Sequence, residues 1–391
     1  MSIISFNKFL IINSMDLFFE ALMQVKHGSL LILFPNGEKK IFGTSTDNIC
    51  KIVILDENVL ANVFSGGDIA FGEAYINNQW TTPDLPNLLA FFTLNSKYLE
   101  DFLHQNRWQA FWLYLKCWFN KNTKQGSKKN IQFHYDLGNN FYSLWLDSTM
   151  TYSSGLFLSP NQNLHQAQIN KYNHIINKLE KGSILEIGCG WGGFANLASS
   201  YGFEVTGLTL SKQQQQYCQE NFKNQFATKL QDYRDENSIY NNIVSIEMFE
   251  AVGKQYWETY FDKISKCLVS KGKAVLQIIT ISEDIFLQYQ NRVDFIQKHI
   301  FPGGVLPTKN IIRHLAKKYH FNIISETAFG LDYAKTLILW LENFNQQLNL
   351  VLHSGFDMQF VRKWQFYLSY CYAAFIANRT DVVQFELQKN Y

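Results

Sequence analysis

At 391 residues the chain exceeds one typical compact core, so two domains joined by a helical connection are expected. Lys and Arg number 35 against 33 Asp and Glu, a formal charge of +2, too mild a balance to argue for a nucleic-acid partner. The six cysteines are scattered with no CxxC pair, no secretory leader is legible, and no 18-residue uncharged apolar run occurs, so a cytoplasmic protein without a bilayer span is expected. Aromatic residues reach 16%, an excess that suits either a large core or the handling of apolar and cationic groups.

In chain order, residues 28–54 alternate around a Pro35-Asn36-Gly37 turn and read as short strands, and residues 1–84 are assigned to a small α+β domain. Residues 85–130 read as a helical linker. Within it RWQAFWLYLKCWF (107–119) is apolar on nearly every side, as for a helix packed between domains or laid on a membrane. The segment 121–130 is polar and basic, a solvated linker whose lysines (Lys121, Lys124, Lys128, Lys129) also suit lipid head groups.

From residue 131 to 391 a catalytic domain is expected. A helix at 165–180, a strand at 183–187, a helix at 194–200 and a strand at 204–208 alternate. They are followed by a helix from 211, strands at 243–246 and 273–281, a helix at 308–320 and a strand at 321–328. That is a doubly wound α/β sheet, whose ligands bind beyond the carboxyl ends of the strands.

After the strand SILEI comes Gly188-Cys189-Gly190-Trp191-Gly192-Gly193, spaced GxGxGG rather than the GxGxxG of dinucleotide folds. Such a turn lets the backbone approach a ligand and enter a helix whose N-terminus favours negative charge. Glu186 just before it argues instead for a cationic ligand, and S-adenosylmethionine is one. An acid for the ribose hydroxyls is missing after the next strand, where Thr209, Ser211 and Gln214 offer hydrogen bonds, and Asp232-Tyr233 lies where an adenine is flanked. Glu247 reads equally as a loop cap or a cofactor contact, and His134 and His299 as structural. Cys/His clusters and HExxH are absent, so no metal is implied.

These segments resemble the cyclopropane-fatty-acyl-phospholipid synthases and the related mycolic acid cyclopropane synthases. The resemblance rests on HYDLGNNFYSLWLDSTMTYSSGLF (134–157), LEIGCGWGG, GLTLSKQQ, SIEMFEAVG (245–253), HIFPGGVLPT (299–308), FGLDYAKTLILW (329–340) and WQFYLSYCYAAF (364–375), in the family's order. GGDIAFGEAYINNQWTTPDL (66–85) is similar to the N-terminal region of the phospholipid enzymes. The resemblance implies a seven-stranded methyltransferase domain that transfers a methyl(ene) group from S-adenosylmethionine to the cis double bond of a phospholipid acyl chain. Proton loss to a bound bicarbonate then closes the ring.

The resemblance also implies roles for single residues. Tyr152 and Ser153 contact the cofactor, Glu186, Gly188, Gly190 and Gly192 with Cys189 and Trp191 form its turn, and Thr209, Leu210, Gln214 and Tyr233 meet ribose and adenine. Glu250 holds bicarbonate with Tyr333 beside it, and Cys371 matches a cysteine better suited to packing or access than to nucleophilic attack. Two departures stand out: Ser154 replaces a cysteine and Gln277 a histidine of the bicarbonate pocket, and glutamine cannot titrate. A methyl-branched or methylene product is therefore an alternative, as is a catalytically silent lipid-binding homologue. Peripheral association with the inner face of the membrane and a possible homodimer complete the expectations.

Overall fold

The computed structural model describes residues 19–103 and 137–391. The aromatic segment 107–119, the lysines at 121–129 and His134 lie outside the described residues.

In the N-terminal region β1 (Ser29–Leu33) and β2 (Lys39–Gly43) form a hairpin around the expected turn, which the Gly37 N–H closes on the Phe34 carbonyl. Strand β3 (Ile49–Ile54) runs parallel to β1, and helix α1 (Asn58–Ile76) returns the chain to a short β4 (Trp80–Thr81). Gly67 breaks α1 with φ 61° and ψ −144°, a conformation open to glycine. Of the expected helical connection, the described part begins with α2 (Leu85–Leu94), capped by the Asp84 carboxylate on the Asn87 N–H and burying Leu85, Leu88, Leu89 and Phe91.

In the second region a short helical turn at Asn139–Ser143 precedes α3 (Leu164–Ile176), which is started by a capping box between Asn163 and Gln166. There follow β5 (Ser183–Ile187), α4 (Gly193–Ser200), β6 (Glu204–Thr209), α5 (Lys212–Asn221), β7 (Ala227–Leu230), β8 (Tyr240–Ile246) and β9 (Leu268–Ile281). The chain continues through β10 (Phe321–Ala328), α6 (Gly330–Gln346) and α7 (Met358–Ile376) to β11 (Thr380–Lys389). Seven strands align in the order β10-β11-β9-β8-β5-β6-β7. Strand β11, which the strand pattern up to residue 328 did not anticipate, inserts antiparallel between β9 and β10. The sheet is therefore mixed and has the seven strands that the resemblance implies.

Strand β5 lies between β6 and β8, so the helices leaving β5 and β8 diverge and open a crevice at the carboxyl edge. The N-terminal region packs against α7. Phe71 stacks on the fully buried Trp80 at 4.3 Å, Gly72 faces the rings of Phe295 and Phe366, and the Arg362 guanidinium lies 4.0 Å from the centre of the Tyr75 ring and donates to the Trp80 carbonyl. One apolar cluster runs through both regions.

Candidate active site

A cavity of about 1730 Å³ opens at the carboxyl edge of β5, β6 and β8 and extends to α1. Its sheet end is built by the glycine turn. Gly188, Gly190 and Gly192 all have left-handed φ (83°, 52° and 83°), which pins the loop against β6 through bonds from the Gly188 and Cys189 N–H groups to the Leu208 carbonyl. Nothing lies within 4 Å of where a Gly190 side chain would begin, so this backbone faces open space.

Glu186 is buried, with one carboxylate oxygen lacking any protein partner, and burial pushes its pKa up to about 8 against the attraction of Lys171. Lys171 is fully buried on α3, donates to Ser153 Oγ at 2.6 Å, and is depressed to about 7, burial outweighing Glu247, Asp147 and Glu186. Gln168 on the same helix face donates to the Ser153 carbonyl at 2.9 Å. Ser153 is thus fixed from two sides. Thr209 Oγ1 donates to Gln214 Oε1 at 2.8 Å, and Leu210, Gln231 and Tyr233 complete this end of the wall.

The middle of the cavity is organised by Glu247. Its Oε1 accepts from the Ser154 N–H at 2.9 Å and from Gln277 Nε2 at 2.7 Å, and its Oε2 accepts from the Tyr333 hydroxyl at 2.7 Å. Desolvation raises its pKa, while Lys171 and these donors oppose the rise. Glu250, one turn onward, takes the Ile279 N–H on one oxygen and leaves the other without a protein partner; burial and the neighbouring Glu247 push it up to about 8. Around the pair stand Tyr333, Tyr152 and Tyr367, the last two joined hydroxyl to hydroxyl at 2.7 Å, with Phe301, Leu337 and Ile279 on the same wall.

The sequence-derived residues are gathered unevenly. Tyr152, Ser153, Glu186, Gly188, Cys189, Gly190, Trp191, Thr209, Leu210, Gln214, Tyr233, Glu250, Tyr333 and Cys371 all line the cavity. Gly192 does not: a side chain there would meet Phe226 at 2.6 Å and Cys218 at 3.0 Å, so this glycine serves the close packing of the turn. Asp232 turns away to an ion pair with Arg234 at 2.6 Å and caps the following turn. Ser154 contributes its backbone, its hydroxyl being turned to the Gly155 carbonyl. The Cys371 thiol is pushed well above its usual pKa by burial, which leaves it unsuited to nucleophilic attack at neutral pH.

The largest correction concerns the anion pocket. Ser154, Gln277 and Tyr333 come together as expected, yet on Glu247 and not on Glu250. Their donors are spent on a carboxylate belonging to the chain, and the Ile279 N–H is spent on Glu250. The Ser154, Gln277, Tyr333 and Ile279 donors that the resemblance would offer to bicarbonate are thus all engaged by Glu247 and Glu250, so the residues present do not fit it. Glu247, Lys171 and Gln168 were missed or underweighted from sequence; the only signal was a second acid three residues before Glu250.

Glu186, with an acceptor waiting for a donor, and the open backbone at Gly190 fit the ammonium, sulfonium and hydroxyls of S-adenosylmethionine. The fold and this site define an S-adenosylmethionine-dependent methyltransferase. The chain belongs to the mycolic acid cyclopropane synthetase family, which matches residues 122–385. It is 33% identical over 343 residues to the tuberculostearic acid methyltransferase of Mycobacterium tuberculosis, spanning 82% of this chain and 79% of that one. It is 32% identical over 340 residues to the cyclopropane-fatty-acyl-phospholipid synthase of Escherichia coli, spanning 85% and 86%. A mycolic acid cyclopropane synthase solved with SAH and CTAB superposes with a TM-score of 0.62 at 30% identity, covering 67% of this chain and 98% of that one.

Proposed function

We propose that the chain methylates the cis double bond of an unsaturated phospholipid acyl chain and closes a cyclopropane ring, with Glu247 as the base. The observation that carries this reading is the Glu247 carboxylate, oriented by Ser154, Gln277 and Tyr333 on the wall of the cavity that also holds the glycine turn.

S-adenosylmethionine supplies an electrophilic methyl group, and Tyr152, Ser153, Glu186, Gly190, Thr209, Leu210, Gln214 and Tyr233 would hold it. The alkene is a poor nucleophile, and its π pair forms the new carbon–carbon bond while positive charge develops on the acyl chain. The faces of Tyr152, Tyr333, Phe301 and Tyr367 stabilise that charge and keep water from it. Glu247 then takes a proton from the transferred carbon, and the released C–H pair closes the ring. Tyr333, whose pKa is raised well above the usual phenol, stays a donor throughout and keeps Glu247 aimed.

A second ending has its own support. The same base and the likeness to a tuberculostearic acid methyltransferase also suit a methylene-branched product. A hydride shift moves the charge to the methylated carbon, Glu247 takes a proton from the transferred carbon, and the released C–H pair forms the double bond of the methylene branch. A saturated methyl branch would need a separate hydride donor. Purified protein incubated with S-adenosylmethionine and unsaturated phospholipid vesicles is expected to add one methylene mass per modified double bond. Proton NMR of the ring separates cyclopropane from branched product. An unchanged acyl mass under saturating donor would leave a lipid-binding homologue without catalysis.

A further inference from the structure

We infer that His174 is a positioning residue for Glu247, acting across two buried glutamines. The inference rests on the reading of Glu247 as the base. His174, on α3, approaches Gln384 Oε1 through Nδ1 at 2.6 Å; Gln384 Nε2 donates to Gln277 Oε1 at 2.9 Å; and Gln277 Nε2 donates to Glu247 Oε1 at 2.7 Å. The two glutamines are register partners on adjacent antiparallel strands, β11 and β9, and are 0% and 1% exposed.

The chemistry of the far end fixes the sense of the whole chain. An ionised carboxylate only accepts, so Gln277 must present its NH2 to Glu247, which leaves its carbonyl to the NH2 of Gln384. The Gln384 carbonyl then requires an N–H, and His174 supplies it from Nδ1. Every donor therefore points towards Glu247, and bonds aligned this way strengthen one another. Two amides at the centre of a sheet are costly to bury unless satisfied, and the glutamine pair alone leaves the Gln384 carbonyl unmet. Without the imidazole, Gln384 is free to turn over, and its partner amide with it, which sets a carbonyl against the carboxylate.

The surroundings of His174 disfavour its charged form. Burial lowers its pKa, Lys178 in the turn that follows α3 adds to the fall, and Gln384 and Glu386 on β11 oppose it. Lys273 on β9 is engaged with Glu386 at 3.2 Å and Glu180 at 3.5 Å.

The test compares His174→Leu, His174→Asn and Gln384→Leu for turnover, S-adenosylmethionine affinity and pH profile. His174→Leu is expected to lower kcat roughly ten- to hundredfold, as losses at supporting residues do, with cofactor affinity unchanged and the acid limb of the kcat profile moved. His174→Asn, whose amide N–H takes the place of Nδ1–H, should recover most of the loss. Gln384→Leu should match His174→Leu, and the double variant should be no worse than either. Wild-type kcat and pH profile in His174→Leu overturn the inference, as does an asparagine variant no better than leucine. In the wild-type protein, nitrogen NMR should find His174 protonated at Nδ1 at neutral pH, and a bare Nδ1 overturns the inference even if the variants fail to fold. Glu247→Gln is measured alongside: retained turnover there removes the base itself, whereas its loss beside an unaffected His174→Leu removes only the role of His174.

Discussion

Glu247 holds φ at +50°, a left-handed conformation uncommon for any residue but glycine, asparagine and aspartate. The backbone is kept there by the bond from its own N–H to the Gln277 carbonyl and by three donors on its side chain. Such strain persists where the surroundings over-determine it. Glu247→Gln keeps the shape and removes the base, so kcat should fall by about 10²- to 10⁴-fold while isothermal titration finds cofactor affinity retained. Cys371→Ala should keep wild-type turnover, since burial pushes its thiol pKa up and leaves it without thiolate character at neutral pH.

The buried charges give a pH dependence with a definite sign. Glu186, raised to about 8, and Lys171, lowered to about 7, both answer to the arrival of a cation. A cationic ligand favours ionised Glu186 and neutral Lys171, so binding releases protons near pH 7 and strengthens as pH rises towards about 8. Titrations in buffers of different ionisation enthalpy measure that release, and Glu186→Gln should diminish it; proton uptake on binding would contradict the assignment. Glu186 alone makes the opposite contribution to folding. Its folded pKa lies above its unfolded one, so its contribution declines as pH rises from about 4.5 to about 8. Glu186 was legible because it precedes a glycine turn; Glu247 was not, because its role comes from three donors on β9, α6 and the loop at Ser154.

At the scale of elements, the glycine turn and its flanking strands were legible because short buried strands, glycines and helix caps are local signals. Strand β5 falls at 183–187 as the pattern indicates, and β10 at 321–328. Strand β11 was missed because TDVVQFELQK carries buried Gln384 and Glu386 within the core of the sheet, and its polarity makes sense only beside Gln277 and Lys273. Helix α1 was missed because its packing against α7 is a long-range contact. Gly72 marks that contact: an added Cβ would lie 2.6 to 2.8 Å from the rings of Phe295 and Phe366, both fully buried. Gly72→Ala should destabilise the protein by roughly 1–3 kcal/mol through overpacking, read as a lower denaturant midpoint. An unchanged midpoint would mean that the two regions are not packed as described.

Across the whole molecule, one apolar cluster joins the N-terminal region to α6 and α7, and one cavity passes from the glycine turn to α1. No helix among the described residues is long and apolar enough to cross a membrane. We propose that the substrate is reached by peripheral docking on anionic bilayers, with the segments 107–119 and 121–129 contributing. Vesicle sedimentation should then weaken with salt and with loss of anionic lipid; indifference to both would remove that proposal. The central claim, that Glu247 takes a proton from the transferred carbon, is tested most directly by supplying S-adenosylmethionine with a fully deuterated methyl group and weighing the lipid product. Two of the three deuterons should remain on the added carbon in the wild-type product, and Glu247→Gln should form little product at all. Retention of all three, or full turnover by Glu247→Gln, would contradict the account.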